Sequence, residues 1–202
     1  MAYSNFTLEA LETIFGVKNQ VKSLFVDTPK MQPSKRLEAD LEEAKALLIR
    51  TEKARSEWIV VPILRELRNR NNNFFTIYSG EFLDVDKKKG LNGECDFILA
   101  KDTGTYSINF PIIQIVEAKM HDIDIGIPQC AAQLLGAKIF NEKKGSNVSK
   151  VYGCVTTGND WVFMCLENNL VTIDIKRYYL NDIESILGAF QTIIDFYKQE
   201  LQ

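Results

Sequence analysis

The segment that most restricts the fold is residues 112–119, Ile-Ile-Gln-Ile-Val-Glu-Ala-Lys. Its first part is apolar and β-branched, which is typical of a strand, and side chains two positions apart on a strand point to the same face. Glu117 and Lys119 are therefore expected side by side at the end of an otherwise apolar strand. Burying such a pair is costly unless something binds it, and a metal ion with a phosphate would do so. The alternative is an ordinary surface ion pair, because ExK triplets are common.

The remaining sequence alternates between helical and strand patterns. Helical periodicity predicts helices at residues 7–15, 35–50, 55–69, 126–140 and 181–201. The fourth of these is expected to start at Gly126, with Pro128 in its first turn. Strands are predicted at residues 74–78, 95–100, 106–110, 112–119, 151–156, 161–166 and 170–175, those between 95 and 119 forming an antiparallel meander. These patterns predict an α/β fold with a central mixed β-sheet flanked by helices.

Length and composition indicate one globular unit. A chain of 202 residues fits a core domain at 51–202 with an N-terminal helical extension at 1–50 packed on it. No apolar run reaches the roughly 18 residues of a membrane span, and the N-terminus lacks the basic flank and apolar stretch of a signal peptide. We therefore expect a cytoplasmic protein without membrane contact. The four cysteines form no CxxC pair and are expected as buried free thiols.

Asp96 is the third residue of interest. It starts the strand pair that leads to Glu117, so antiparallel pairing brings the two carboxylates close. Two close carboxylates repel each other unless they share a proton or a cation. Oxygen ligands suit Mg²⁺ or Mn²⁺, whereas one histidine and scattered cysteines do not make a zinc site. That histidine, His121, is expected to be an exposed loop residue, with a general base as the alternative.

These residues carry a resemblance to a known family. Gly93-Glu94-Cys95-Asp96-Phe97, then Ile115-Val116-Glu117-Ala118-Lys119, then a helix with two glutamines, resembles the core of the PD-(D/E)xK nucleases, which are restriction endonuclease-like. In motif style the sequence is most similar to the N-terminal nuclease domains of type I restriction R subunits. The resemblance covers residues 55–155 and implies a restriction endonuclease-like core. It also implies that Asp96, Glu117 and the backbone carbonyl of Ala118 coordinate Mg²⁺ or Mn²⁺, and that Lys119 orients the attacking water and stabilises charge on the phosphate.

Three further residues match this family in part. Glu57 lies on the helix before the first core strand, where such proteins often carry an additional metal-binding and catalytic glutamate. Gln129 matches the first residue of a QxxxY motif, but Gln133 stands where the tyrosine would be. Solvent-exposed positions are the alternative for all three, because polar residues are common on helix surfaces.

The resemblance implies a Mg²⁺-dependent nuclease that hydrolyses phosphodiester bonds in DNA, an activity suited to a prokaryotic defence or repair system. The net charge of −3 argues against DNA binding by bulk electrostatics, although a metal supplies positive charge locally. Lysine and arginine clusters at residues 65–70, 87–89 and 143–144 are either phosphate contacts or solubilising surface.

Two alternatives remain open: a catalytically inactive subunit of the same fold that binds nucleic acid or a partner, and a structural helper that docks through residues 7–50. A homodimer is compatible with double-strand cutting, and a protein partner would supply specificity because no separate specificity domain is visible.

Overall fold

Eight strands form one mixed sheet in the computed structural model, which describes residues 2–201. The strands are β1 (Lys18–Lys22), β2 (Phe75–Phe82), β3 (Glu94–Lys101), β4 (Ile112–Ala118), β5 (Lys150–Thr156), β6 (Asp160–Glu167), β7 (Leu170–Asp174) and β8 (Tyr178–Tyr179). Their order across the sheet is β1-β7-β6-β5-β4-β3-β2, with β8 pairing to β6. Central strand β4 is antiparallel to β3 and parallel to β5.

Helices cover both faces of this sheet. They are α1 (Leu8–Phe15), α2 (Lys35–Ala46), α3 (Glu52–Arg55), α4 (Val61–Arg70), α5 (Ile123–Lys143) and α6 (Ile183–Glu200). One buried cluster joins the sheet to α1 and α5, and the other joins it to α2, α4 and α6. Removing this apolar surface from water is the main force that holds the layers together. The predicted α/β fold with a central mixed sheet flanked by helices is confirmed.

Residues near the N-terminus contribute to both cores. Tyr3 and Leu11 lie in the cluster under α5, whereas Leu37 and Ala44 lie in the cluster under α6. The Tyr3 hydroxyl also donates a hydrogen bond of 2.7 Å to the carbonyl of Leu83. Residues 2–50 therefore pack on the same sheet as the rest, and they add the edge strand β1 to it.

Hydroxyl side chains define where the N-terminal helices begin. Thr7, Ser34 and Thr51 each accept a hydrogen bond from the backbone N–H three residues later, which satisfies a donor that the helix itself leaves free. Thr51 thus starts the third helical segment three residues earlier than the hydrophobic periodicity predicted, and this brings Glu52 into the helix.

The helix from Glu52 to Arg70 contains a π-helical turn at Ser56–Val60, between α3 and α4. The Val61 N–H donates to the carbonyl of Ser56, five residues earlier. Pro62 follows, and because proline has no N–H and its ring clashes with the carbonyl four residues before it, a widened turn at this point is favoured. Such turns occur often at functional sites.

Some predictions of local structure were wrong. Residues 106–110 form a loop, so β3 and β4 pair directly with no strand between them. Helix α5 begins at Ile123, because the Asp122 side chain accepts the N–H of Asp124 at 2.8 Å, and Pro128 consequently lies in the second turn. Helix α2 ends at Ala46 rather than at the predicted residue 50, because Leu47 has an extended backbone with φ −92° and ψ 146°. Strands β1 and β8 were not predicted. The four cysteines are buried and free, as expected.

Candidate active site

The site lies where β3 and β4 separate. Their backbone pairing ends at Phe97 and Val116, whereas β4 continues to pair with β5 as far as Ala118. At the separation, Asp96 Oδ2 accepts the backbone N–H of Ala118 at 2.7 Å. The carboxylate thus takes the role of a strand carbonyl, which fixes Asp96 against the end of β4.

A β-bulge in β4 orients Glu117. The register with β3 shifts between the pairs Leu99–Gln114 and Ala100–Ile112, which leaves Ile113 as an extra residue. A bulge changes the face to which the following side chains point. Beyond it, Ile115 packs in the cluster under α5, and Glu117, two positions later, contacts α5 as well.

Three nitrogen donors surround the Glu117 carboxylate. Lys119 Nζ donates to Oε1 at 2.5 Å, Gln129 Nε2 donates to the same oxygen, and Gln133 Nε2 donates to Oε2 at 2.7 Å. Glu117 is only 2% exposed, and the Lys119 side chain is 16% exposed. The predicted same-face arrangement of Glu117 and Lys119 is confirmed, and both glutamines contact the site from the following helix.

Gly126 allows α5 to approach this closely. A Cβ atom at Gly126 would lie 2.5 Å from Cγ1 of Val155 and 3.0 Å from Cγ of Lys119. The Lys119 backbone N–H donates to the Thr156 carbonyl at 2.7 Å, so the lysine is anchored to β5 just past the end of β4. The absence of a side chain at Gly126 therefore leaves room for the Lys119 stem between α5 and the sheet.

Burial raises the pKa of both carboxyl groups of the site. Burial, followed by the charge of Asp96, raises the pKa of Glu117 from 4.5 to about 7, and Lys119 and Gln133 offset only part of this. Burial also raises the pKa of Asp96, helped by the charges of Glu52 and Glu94 and opposed by the Ala118 N–H and by Lys119. Two buried carboxyl groups that resist ionisation together are a place where a cation would be stabilising.

The pKa of Lys119 is raised as well, which in a basic group favours the charged form. Burial alone would lower the pKa of its ammonium group, but the nearby charge and hydrogen bond of Glu117, with further contributions from Glu52 and Asp96, raise it overall. The raised pKa values thus favour the charged form of Lys119 and the neutral form of Glu117. Glu117 differs in this way because it is the more deeply buried of the two and is also repelled by Asp96. Lys119 is therefore a fixed positive charge, and Glu117 is the group that changes its protonation near neutral pH.

A cleft of about 380 Å³ opens beside Asp96, between the helix that carries the π-turn and the ends of β2 and β3. Glu57 lines this cleft, but its side chain is 57% exposed and its nearest cation is Lys53, at 3.9 Å. Glu52 lines the same cleft, and its charge acts on both Asp96 and Lys119. The helix glutamate that interacts with the site is thus Glu52, which sequence reasoning missed because the predicted helix began at residue 55.

Gly80 forms part of the floor of this cleft and has φ +69°. A Cβ atom there would lie 3.2 Å from Oε1 of Glu94, another cleft residue. Both the backbone conformation and the space therefore favour glycine at this position.

The basic clusters and His121 do not line this cleft. Arg65 pairs with Asp40 of α2, Arg68 with Asp102 just after β3, and Arg70 with Glu66 of its own helix, so each of these arginines already has an acidic partner. Lys143 Nζ donates to the carbonyl of Val85, which brings the lysines at 143–144 next to the loop that carries those at 87–89. His121 is exposed in the loop between β4 and α5, as expected.

The donor set fits a hard divalent cation. Among residues 2–201 no cluster of three or more histidine, cysteine, aspartate or glutamate side chains has the geometry of a complete metal cage. Mg²⁺ needs no such cage, since it keeps several waters and binds proteins through one or two carboxylates plus substrate phosphates. Asp96 and Glu117 provide two such carboxyl groups, one on each of the neighbouring strands β3 and β4.

Comparisons with known proteins add no identity. Neither a protein-family model nor a curated protein matches the sequence. Within residues 2–201, no helix has the length and apolar character needed to cross a membrane.

Proposed function

We propose that the protein is a Mg²⁺-dependent nuclease that hydrolyses phosphodiester bonds in DNA. The observation that carries the proposal is the convergence of two buried carboxyl groups, Asp96 and Glu117, with the Lys119 ammonium at the end of one central strand. Asp96 reaches this point from the neighbouring strand β3, and holding its carboxyl group close to that of Glu117 in an apolar environment is costly unless they bind something.

Asp96, Glu117 and the Ala118 carbonyl would hold the metal ion, which supplies Lewis acidity and lowers the pKa of a bound water. Lys119 contributes a positive charge that is fixed by its stem beside Gly126 and by its backbone bond to β5. Its ammonium group has three donors, and Glu117 takes one of them. The other two have no hydrogen-bond partner among residues 2–201, and they would bind a water and a phosphate oxygen, where negative charge develops during hydrolysis.

A restriction endonuclease-like core is part of the same proposal. In its support, Asp96 lies on β3, Glu117 lies on β4 with Lys119 just past its end, and β4 is a central strand of a mixed sheet. Glu52, which lines the cleft and acts electrostatically on both Asp96 and Lys119, takes the role that the sequence pattern gave to Glu57.

A catalytically inactive subunit that binds nucleic acid or a partner protein is the second candidate. It is favoured by the fact that both Glu117 oxygens already accept hydrogen bonds, which satisfies the carboxylate without a metal. The arginines at 65–70, which the sequence offered as phosphate contacts, also form ion pairs within the chain. Metal binding separates the two candidates, because only the nuclease requires Mn²⁺ or Mg²⁺ at Asp96 and Glu117.

The test is nicking of supercoiled plasmid in Mg²⁺ or Mn²⁺, with Lys119→Met and Asp96→Asn as variants. Both should lower the cleavage rate by about 100-fold or more, the usual effect of removing one transition-state contact. Glu43→Gln serves as the control, because Glu43 is an exposed acid of α2 outside the cleft. Equal cleavage by the wild type and Lys119→Met would refute the nuclease proposal.

A further inference from the structure

Gln133 has an environment that does not suit a glutamine. It is fully buried in α5, and the neighbouring positions Ala132 and Leu134 belong to the apolar core. Its Nε2 donates to Glu117 Oε2 at 2.7 Å, while its Oε1 accepts no hydrogen bond from any residue between 2 and 201. A buried amide that is satisfied at one end only is unfavourable compared with an apolar side chain of similar size.

Stability of the fold therefore does not account for Gln133. Its side chain forms one recorded hydrogen bond, and that bond is to a residue of the candidate site. Buried polar groups that lower stability are retained most often where they serve a site. The role of Gln133 should accordingly be sought in what it does to Glu117.

The two glutamines hold different oxygens of the same carboxylate. Gln129 and Gln133 are one helical turn apart, so they share a face of α5. Gln129 donates to Oε1, which also accepts from Lys119. Among residues 2–201, Gln133 is the one side chain that donates to Oε2. If Gln129 is lost, Oε1 still accepts from Lys119. If Gln133 is lost, Oε2 has no side-chain donor.

We propose that Gln133 is a positioning residue that fixes the rotation of the Glu117 carboxylate, holding Oε2 toward α5 and Oε1 toward Lys119. The consequence of this positioning rests on the proposed nuclease function: if Glu117 binds the metal, tight metal binding needs its carboxylate in the correct orientation. Groups that orient a metal ligand in this way typically change metal affinity by about 10- to 100-fold when they are removed.

The chain offers a matched control in Gln114. This glutamine is also fully buried, lies on β4 three positions before Glu117, and has an Nε2 without a hydrogen-bond partner among the described residues. Gln114→Met and Gln133→Met remove the same amide from the interior and keep a similar volume. Any general effect of replacing a buried glutamine should therefore appear in both variants, and an effect on Glu117 should appear in Gln133→Met alone.

Two measurements on the full chain test the proposal. In crystal structures without metal, the Glu117 carboxylate should rotate away from its wild-type position in Gln133→Met and stay in place in Gln114→Met. In calorimetric titration with Mn²⁺, Gln133→Met should bind about 10- to 100-fold more weakly than the wild type, and Gln114→Met should bind equally well.

An unmoved Glu117 in Gln133→Met would overturn the positioning role, whatever the metal result. Unchanged Mn²⁺ affinity in this variant, with normal binding by the wild type, would also overturn the inference while leaving the nuclease proposal intact. Absence of Mn²⁺ binding by the wild type would instead refute the nuclease proposal, and the crystallographic comparison would still decide whether Gln133 orients Glu117.

Discussion

The protonation of Glu117 should make the stability of the metal-free protein depend on pH. Its pKa is about 7 in the folded state and near 4.5 when the chain is unfolded. Below 4.5 both states carry the proton, and between 4.5 and about 7 only the folded state does. The free energy of unfolding therefore falls as the pH rises through this window.

The size of the effect follows from the same values. Moving a pKa from 4.5 to about 7 corresponds to a change in unfolding free energy of about 3 kcal/mol, at about 1.4 kcal/mol for each tenfold change in proton affinity. Asp96 adds to the loss in the same direction, because its pKa is raised as well. The two carboxyl groups interact, so the transition reports their joint titration.

Urea denaturation in the presence of EDTA, followed by tryptophan fluorescence between pH 4.5 and 8.5, measures this loss. Glu117→Gln removes the titrating group, so the stability of the wild type relative to this variant should fall by about 3 kcal/mol across the range. Glu43→Gln, at an exposed position, should show the same pH dependence as the wild type. The reasoning from burial would be refuted if the unfolding free energy of the wild type, relative to Glu117→Gln, stayed constant or rose with pH. Lys119 and the two glutamines would then hold Glu117 ionised.

Three other predictions concern the metal, the helix approach and the helix glutamate. At about 100 times its dissociation constant and pH 8, Mn²⁺ should stabilise the wild type by about 3 kcal/mol but not Asp96→Asn, as measured by thermal unfolding; equal stabilisation would place the metal elsewhere. Gly126→Ala should lower the unfolding free energy in urea by about 1–3 kcal/mol, because its Cβ would meet Val155 at 2.5 Å, and a neutral result would show that α5 moves freely. Glu52→Gln should weaken Mn²⁺ binding several-fold in calorimetry and Glu57→Gln should not, whereas the reverse result would restore Glu57 as the helix ligand.

Hydrophobic periodicity was enough to predict the layers of the fold, but not the elements that depend on distant partners. All five side chains of β1 are exposed, so its sequence shows no apolar alternation. The segment becomes a strand because Lys18 to Lys22 pair in parallel with β7, more than 140 residues away along the chain. Nothing within residues 18–22 signals that partner.

The loop at 106–110 shows the opposite error. Tyr106, Ile108 and Phe110 have the composition of a strand, but side-chain hydrogen bonds compete there with strand pairing. The Asn109 amide bonds to Thr103, and the Asn109 backbone N–H donates to the hydroxyl of Tyr78 at 3.0 Å. Propensity counts do not include such contacts, because the Tyr78 hydroxyl belongs to β2, about 30 positions away in the sequence.

Within the site, the contacts that follow from strand and helix patterns were predictable, whereas those that depend on the cap and the turns of a helix were not. The pairing of Glu117 with Lys119 depends on strand periodicity alone and was predicted with the correct face. The contacts of both glutamines required only that a helix follow β4 and turn back on it. Glu52 was missed because its position depends on the Thr51 cap and on the π-turn before Pro62, neither of which contributes to hydrophobic periodicity.

The separation of β3 and β4 gives Asp96 two roles that a substitution must distinguish. Its Oδ2 accepts the Ala118 N–H, so an alanine at 96 would leave a buried backbone donor without a partner and disturb the end of β4. Loss of cleavage in Asp96→Ala would then be explained equally well by a displaced Glu117 and by a missing metal ligand. Asparagine keeps an oxygen that can accept the same N–H but lacks the negative charge, so loss of cleavage with unchanged stability in Asp96→Asn would assign the defect to the charge. The chemistry of this site is therefore tested by removing charge from Asp96 while its hydrogen bond to β4 is preserved.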